Sequence, residues 1–190
     1  MGRNGESGAG PYAMSRTSQF DIIFNGAFYP NPFYLPYVAV SIFHSYPNLY
    51  HSYSQIFKHP YDSLIPIIYD GLHSTGYANS RLDYYVSNMI IDSVKTNIQN
   101  NPNHPIRLAL RGFDLVDNWT PTTPMKLYHC SGDDNVFYDN STYADSVFKA
   151  RGANIELIDM GSSNHVDCAP LSLLMGVSWF NDFIKMEKIK

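Results

Sequence analysis

The sequence is short of charge. Of its 190 residues 16% are charged, 13 Lys and Arg against 17 Asp and Glu, for a formal net charge of −4. Such a balance offers neither a basic surface for nucleic acid nor one for anionic membrane, so a small or neutral ligand suits the chain better. Cysteine is scarce as well: Cys130 and Cys168 are the only two. They cannot build a disulfide framework, neither has the CxxC or CxxH spacing of a zinc site, and the residues alone leave open whether they pair. No stretch approaches the ~20 apolar residues of a membrane-spanning helix. The start, MGRNGESGAG, carries one Arg and no apolar core of the signal-peptide kind. Also missing is any G-x-S-x-G, the turn that presents a nucleophilic serine between a strand and a helix.

What is present is a hydrophobic content of 44%, enough over this length for one ordinary domain with a sizeable core. Residues 1–10 are glycine-rich, and GPYAMS reads as the exit of a short strand into a loop. From Phe28 to about Tyr85 the composition turns to Tyr, Phe, Pro, Ser and His, with apolar runs broken by proline; the pattern predicts short helices over 34–46, 53–58 and 61–70. Further helices are expected over 87–101 and 104–113, separated by Pro102 and Pro105. The architecture then changes. MKLYHCS, 125–131, reads as a buried strand, followed by a loop, a helix over 138–151 ended by Gly152 with Asp139 or Asn140 as its N-cap, a strand over 154–160, the loop GSSNHVD and an apolar helix over 169–185. Strand, helix, strand, helix implies a parallel sheet with flanking helices, an α/β arrangement whose chemistry lies in the loops after the carboxyl ends of the strands.

Those two loops hold Asp133, Asp134, Asn135 and His165. Adjacent parallel strands ending on one sheet edge bring a carboxylate from the first loop to an imidazole from the second. A carboxylate in that position fixes the histidine tautomer and stabilises the imidazolium, the orienting half of a nucleophilic triad. Calcium is a rival reading of the oxygen-rich D-D-N-x-x-x-D-N, but the alternating ligands and glycine of an EF-hand loop are missing. The other histidines, 44, 51, 59, 73, 104 and 129, read as ordinary cap and core residues. The aromatic block, with Tyr34, Tyr37 and Phe43, reads equally as helix packing or as the lining of a substrate pocket.

PMKLYHCSGDDNVFYDNSTYADSVFKARGANIELIDMGSSNHVDC resembles the end of an α/β-hydrolase: a strand, an HG-like turn, D-x-x-V, a helix closing at glycine, the last strand and a histidine loop. GDDNV is similar to the form found in prolyl-oligopeptidase-type hydrolases, while GAGPYAMS and DNWTPTTPMKLYH resemble bacterial lipase- or esterase-like hydrolases with a helical cap. The resemblance implies a partial α/β-hydrolase fold: residues 1–27 as an N-terminal tail and core strand, 28–118 as a helical cap insertion and 119–190 as the C-terminal core. Carried over by position, it makes Asp133 and His165 catalytic, gives Asp134 a lesser role with loop amides or solvent, and lets Asn135 touch substrate; Cys130 departs from the glycine usual after the histidine.

No metal or cofactor is implied. The nucleophile is expected outside this chain, because Ser7 in GESGAG has the wrong spacing and no helix fits before GPY. The expected activity is therefore that of a serine hydrolase of carboxylic ester or acyl bonds, acting on a small-molecule ester, lipid or peptide, with this chain inactive alone. A missing N-terminal half or a partner chain would cover its sheet. The alternatives are a prolyl-oligopeptidase-type peptidase and a non-catalytic hydrolase-like binding domain. For the complete protein the resemblance implies export from a bacterial cell.

Overall fold

A computed structural model describes residues 5–18 and 24–187. The glycine-rich start before residue 5, and the part of the 1–27 segment at 19–23, lie outside the described residues. Among the described residues the elements are, in chain order, β1 (Gly5–Ser7), α1 (Tyr34–Ser45), α2 (Tyr61–Ile68), α3 (Thr75–Asn79), α4 (Asp92–Asn100), α5 (Pro105–Phe113), α6 (Leu115–Asn118), β2 (Met125–His129), α7 (Asp139–Ala150), β3 (Ile155–Asp159) and α8 (His165–Glu187), with 3₁₀ turns at Tyr53–Gln55 and Val86–Met89. They fall into two compact units, Met1–Gln19 with Asp114–Lys190, and Phe20–Phe113.

The first unit is built on a parallel sheet in the order β1-β2-β3. Met125 lies opposite Gly5 on one side and Ile155 on the other, and Leu127 lies opposite Ser7 and Leu157. Because strand residues alternate between faces, Met125 and Leu127 turn one way, into a core with Ile155, Ala144, Phe148, Tyr12, Ala13 and Val116. Lys126 and Tyr128 turn the other way: the Tyr128 hydroxyl reaches the Met175 carbonyl at 3.5 Å, and the Lys126 ammonium sits 5.5 Å from the Trp179 ring centre. Helices α7 and α8 thus cover opposite faces of the sheet. Helix α7 ends where Gly152 takes φ of 82°, a left-handed conformation that glycine adopts at little cost.

The ends of two elements differ from the sequence expectation. Asp139 and Asn140 do not cap α7. Asp139 accepts a hydrogen bond from the Ser18 amide at 2.7 Å and the Asn140 side-chain oxygen accepts one from the Ala13 amide at 3.2 Å, so both are drawn to the segment after β1. Helix α8 begins at His165, four residues before the expected 169, and His165 is helical where a loop was predicted. Pro170 resembles a first-turn proline, but Asn164 and Asp167 supply an earlier start: the Asn164 side chain accepts from the Asp167 amide at 2.9 Å and donates to its carboxylate at 2.8 Å. Near β1, Asp114 is fully buried and accepts hydrogen bonds from the Ser15 amide and hydroxyl, with Arg16 alongside; burial raises its pKa, and the Ser15 bonds and the Arg16 charge oppose that rise.

The second unit is helical, with Ile65, Ile68, Met89 and Ile98 buried in its interior. The expected helix over 87–101 is interrupted, and the one over 53–58 shrinks to a 3₁₀ turn. The cause is a short antiparallel bridge between Phe57 and Ile90: the Lys58 amide donates to Met89 O at 2.8 Å and the Ile91 amide to Ile56 O at 2.9 Å. Two adjacent β-branched residues, Ile90 and Ile91, suit this extended stretch better than a helix. The 3₁₀ turn itself is closed by a capping box between Ser52 and Gln55.

Phe148 is fully buried against the sheet, with Trp119 packed edge-on at 5.4 Å between ring centres. Phe148→Ala is expected to lower stability by about 3–5 kcal/mol. Urea denaturation of the full chain should show an earlier midpoint with an unchanged slope.

Candidate active site

The loop after β2 is short and tightly wound. The Asp133 amide donates to Cys130 O at 3.1 Å, and Asp133 folds its own carboxylate back over the chain, Oδ1 accepting from the amides of Asn135 at 2.9 Å and Val136 at 2.8 Å. This is an Asx turn, which fixes the side chain and points Oδ2 away from its own backbone. Oδ2 faces the N-terminus of α8, where the His165 Nδ1 lies 2.7 Å away. The Asp133 side chain has no solvent exposure, and that of His165 keeps 28%.

A second imidazole shares the carboxylate. His129, the last residue of β2, is wholly buried, with Nε2 2.8 Å from Val136 O and 3.3 Å from Asp133 Oδ2. Both of those neighbours are acceptors, so Nε2 carries the proton. Its Nδ1 lies 2.7 Å from the Ser141 hydroxyl of α7. Sequence reasoning passed over His129 as an ordinary residue. The signal that marks it is the strand period, which places a polar side chain on the same face as Met125 and Leu127, beneath an acidic loop.

Burial alone would raise the Asp133 pKa. The hydrogen bonds from His129, His165 and the amides of Val136 and Asn135 outweigh it and hold the carboxyl well below the usual carboxylate range. His165 moves the opposite way. Its hydrogen bond to Asp133 raises the imidazole above its ordinary value against the opposing effect of burial, and the charges of Asp133 and Asp134 add to the rise. With Nδ1 donating to Asp133, the neutral ring carries its lone pair on Nε2, the form that can take a proton from a hydroxyl.

The other residues singled out from sequence are placed as follows. Asp134 Oδ1 accepts from the His165 amide at 3.2 Å and from the Asn135 side chain at 3.2 Å. Asn135 is 2% exposed within this chain. Tyr34, Tyr37 and Phe43 belong to α1 of the helical unit: Tyr34 and Tyr37 are exposed and pack about Phe33, while Phe43 stacks on Tyr53 at 4.7 Å and on Tyr50 at 5.5 Å. Ser7 ends β1 and is followed by a bend and turns, not a helix. Its hydroxyl takes a hydrogen bond from the Tyr12 hydroxyl at 2.7 Å and gives one to Gly8 O at 3.2 Å. Among the described residues no serine hydroxyl is hydrogen-bonded to His165.

The two cysteines, whose pairing the sequence left open, form a disulfide. Cys130 follows β2 directly and Cys168 lies in the first turn of α8, with Cα atoms 6.0 Å apart. Their bridge joins the loop of Asp133 to the helix of His165.

The fold of the chain is also found in solved structures. The chain is similar to the rice cell wall degrading esterase LipA from Xanthomonas oryzae, with 26% sequence identity and a TM-score of 0.75 over 90% of this chain and 46% of that one. It is similar also to a candidate hydrolase from Legionella pneumophila, with a TM-score of 0.82 and 22% identity over 95% of this chain and 48% of that one. The fold is that of the C-terminal part of an α/β-hydrolase. The chain spans about half the length of these hydrolase-fold structures. No family model and no curated protein matches it.

Within this hydrolase fold the Asp133–His165 pair predicts two titrations of opposite sign. Because the folded Asp133 pKa lies below the unfolded value of about 3.9, its stabilising contribution is present above that pH and is lost as pH falls toward the folded value. Asp133→Asn should therefore flatten the acid limb of the urea-midpoint profile. The same substitution should lower the His165 midpoint, read from its Cε1 resonance by NMR. An unmoved midpoint would mean that the carboxylate does not govern the imidazole.

Proposed function

We propose that these residues belong to a serine hydrolase that cleaves carboxylic ester or acyl bonds, with the nucleophilic serine outside residues 1–190. The observation that carries this reading is the 2.7 Å contact between Asp133 Oδ2 and His165 Nδ1 at the ends of adjacent parallel strands. In the proposed cycle His165 Nε2 takes the proton of the serine hydroxyl as it attacks the acyl carbon, then returns it to the leaving alkoxide. Water repeats the step to free the enzyme. Asp133 keeps His165 in the tautomer that presents Nε2, and its charge stabilises the imidazolium between the two proton transfers.

Further support comes from the esterase name of the Xanthomonas neighbour, which favours an ester over a peptide bond. A run of exposed apolar residues on α8, among them Val166, Leu171, Leu173, Leu174 and Val177, favours an N-terminal half or a partner chain that covers them. A disulfide persists in oxidising compartments, which favours export. Asn135, Tyr34, Tyr37 and Phe43 remain candidates for substrate contact. The absence of G-x-S-x-G favours a second reading, a non-catalytic hydrolase-like binding domain.

The two readings separate on the nucleotide sequence upstream of Met1, where an in-frame G-x-S-x-G supports the enzyme and a start signal at Met1 supports the binding domain. In assay, the 190-residue chain should neither turn over a p-nitrophenyl ester nor be labelled by a fluorophosphonate. The protein from the extended reading frame should do both, and Asp133→Asn in it should cut kcat by roughly 10⁴-fold. Turnover or labelling of the 190-residue chain alone would refute the placement of the serine.

A further inference from the structure

Helix α8 carries His165 at its first position, yet little apolar surface fastens that end to the sheet. The buried positions of its first three turns are Cys168, Ser172 and Gly176, each four residues from the last and so on one face. Side chains this small let the helix backbone approach Tyr128, but they remove little hydrocarbon from water. The large residues of the same turns, Val166, Leu171, Leu173 and Leu174, are exposed.

The remaining links between the two loops bypass the helix. The Ser131 amide and hydroxyl bond to Asp159 Oδ1 at 3.1 Å and Gly161 O at 3.2 Å, and the Met160 amide bonds to His129 O at 2.9 Å. All three hold the end of β3 and the residues just after it. Apart from the Asp133–His165 contact itself, the described residues tie α8 to the acid loop through the hydrogen bond from the His165 amide to Asp134 at 3.2 Å and through the disulfide.

The disulfide is placed to act on the pair. Cys130 lies three residues before Asp133 and Cys168 three residues after His165, so bridge and hydrogen bond close a small ring from two short arms of chain. Both cysteines are buried, at 0% and 3% exposure. One arm has almost no slack: a Cβ on Gly132 would lie 2.1 Å from Ser162 O, so the two loops already touch backbone to backbone.

We propose that the Cys130–Cys168 bridge is a positioning element of the site, holding the first turn of α8 against the Asp133 loop so that the His165 Nδ1–H···Oδ2 hydrogen bond persists. With the bridge open, the helix end moves off the sheet and the imidazole exchanges the carboxylate for water. The proposal rests on Asp133 and His165 working as a pair, but its readout is the hydrogen bond and not turnover, so a failed ester assay leaves it standing.

The test uses the full 190-residue chain. In the oxidised protein the His165 Nδ1 proton should give a low-field NMR resonance, assigned by its loss in His165→Gln. In Cys130→Ala/Cys168→Ala the resonance should vanish while the amides of β2 stay protected from exchange. A bridge that merely stabilised the fold would lower the urea midpoint and leave the resonance in place; that result overturns the proposal, as does absence of the resonance from the oxidised chain. Should the double variant not fold, the oxidised chain is titrated with dithiothreitol. Each reduction gives two protein thiols and converts one dithiothreitol to its cyclic disulfide, two electrons and two protons passing to the Cys130 and Cys168 sulfurs. Loss of the resonance before loss of β2 protection supports the proposal; simultaneous loss of both overturns it.

Discussion

A β-strand must turn consecutive side chains to opposite faces, and in this chain that constraint fixes the site. His129 at the end of β2 points to the α7 side and is anchored on Ser141 of that helix. Cys130, next in sequence, points to the other side and is anchored on Cys168 of α8. The loop that carries Asp133 therefore starts from a point held by both helical layers. One anchor is a buried hydrogen bond and the other is covalent, so the loop is positioned across the whole thickness of the unit.

That rigidity is needed because the loop buries a charge. Desolvating a carboxylate costs several kcal/mol even after the protein relaxes. Hydrogen bonds to a charged group return about 1.5–3 kcal/mol each, so one or two would leave Asp133 destabilising, whereas four can offset the loss. Asp133 has four donors: two amides of its own loop and two imidazoles. The donors come from three parts of the local structure, the loop itself, the end of β2 and the start of α8, and misplacing any one of them raises the carboxyl toward its neutral form. The same network that makes the buried charge tolerable keeps it ionised, and an ionised carboxylate is what raises the His165 pKa. Folding and proposed chemistry thus depend on one set of contacts.

The parallel strands, their loops and the α/β class could be read from MKLYHCS and NIELIDM, because a strand covered on both faces leaves a dense apolar run between loops. The helical unit was less legible. Its apolar spacing over 87–101 suits a helix, but Ile90 is taken into a bridge with Phe57, thirty-three residues earlier, and no local pattern announces such pairing. Helix α8 starts ahead of the apolar run over 169–185, because the Asn164 and Asp167 cap opens it at His165, inside a polar stretch that apolar spacing does not mark as helix. The disulfide was legible in principle. If Asp133 and His165 meet, residues three away on each arm are brought near one another, and those residues are Cys130 and Cys168.

The two imidazoles on Asp133 show why residue type alone does not assign a role. Both rings direct a nitrogen at the same carboxylate oxygen, and they differ in what the second nitrogen meets. For His129 it meets the Ser141 hydroxyl in the interior, so both edges of the ring are occupied and no substrate atom can reach either. For His165 the second nitrogen has no hydrogen-bond partner among the described residues, and the ring retains 28% of its surface. Basicity is useful only where a proton can arrive. The buried ring can share the carboxylate's charge and fix its orientation, and the half-open ring alone can pass a proton outward. The helix start at His165 produces this difference: a histidine inside a strand is enclosed by both layers, whereas one at the first turn of a helix keeps an edge beyond the end of the sheet.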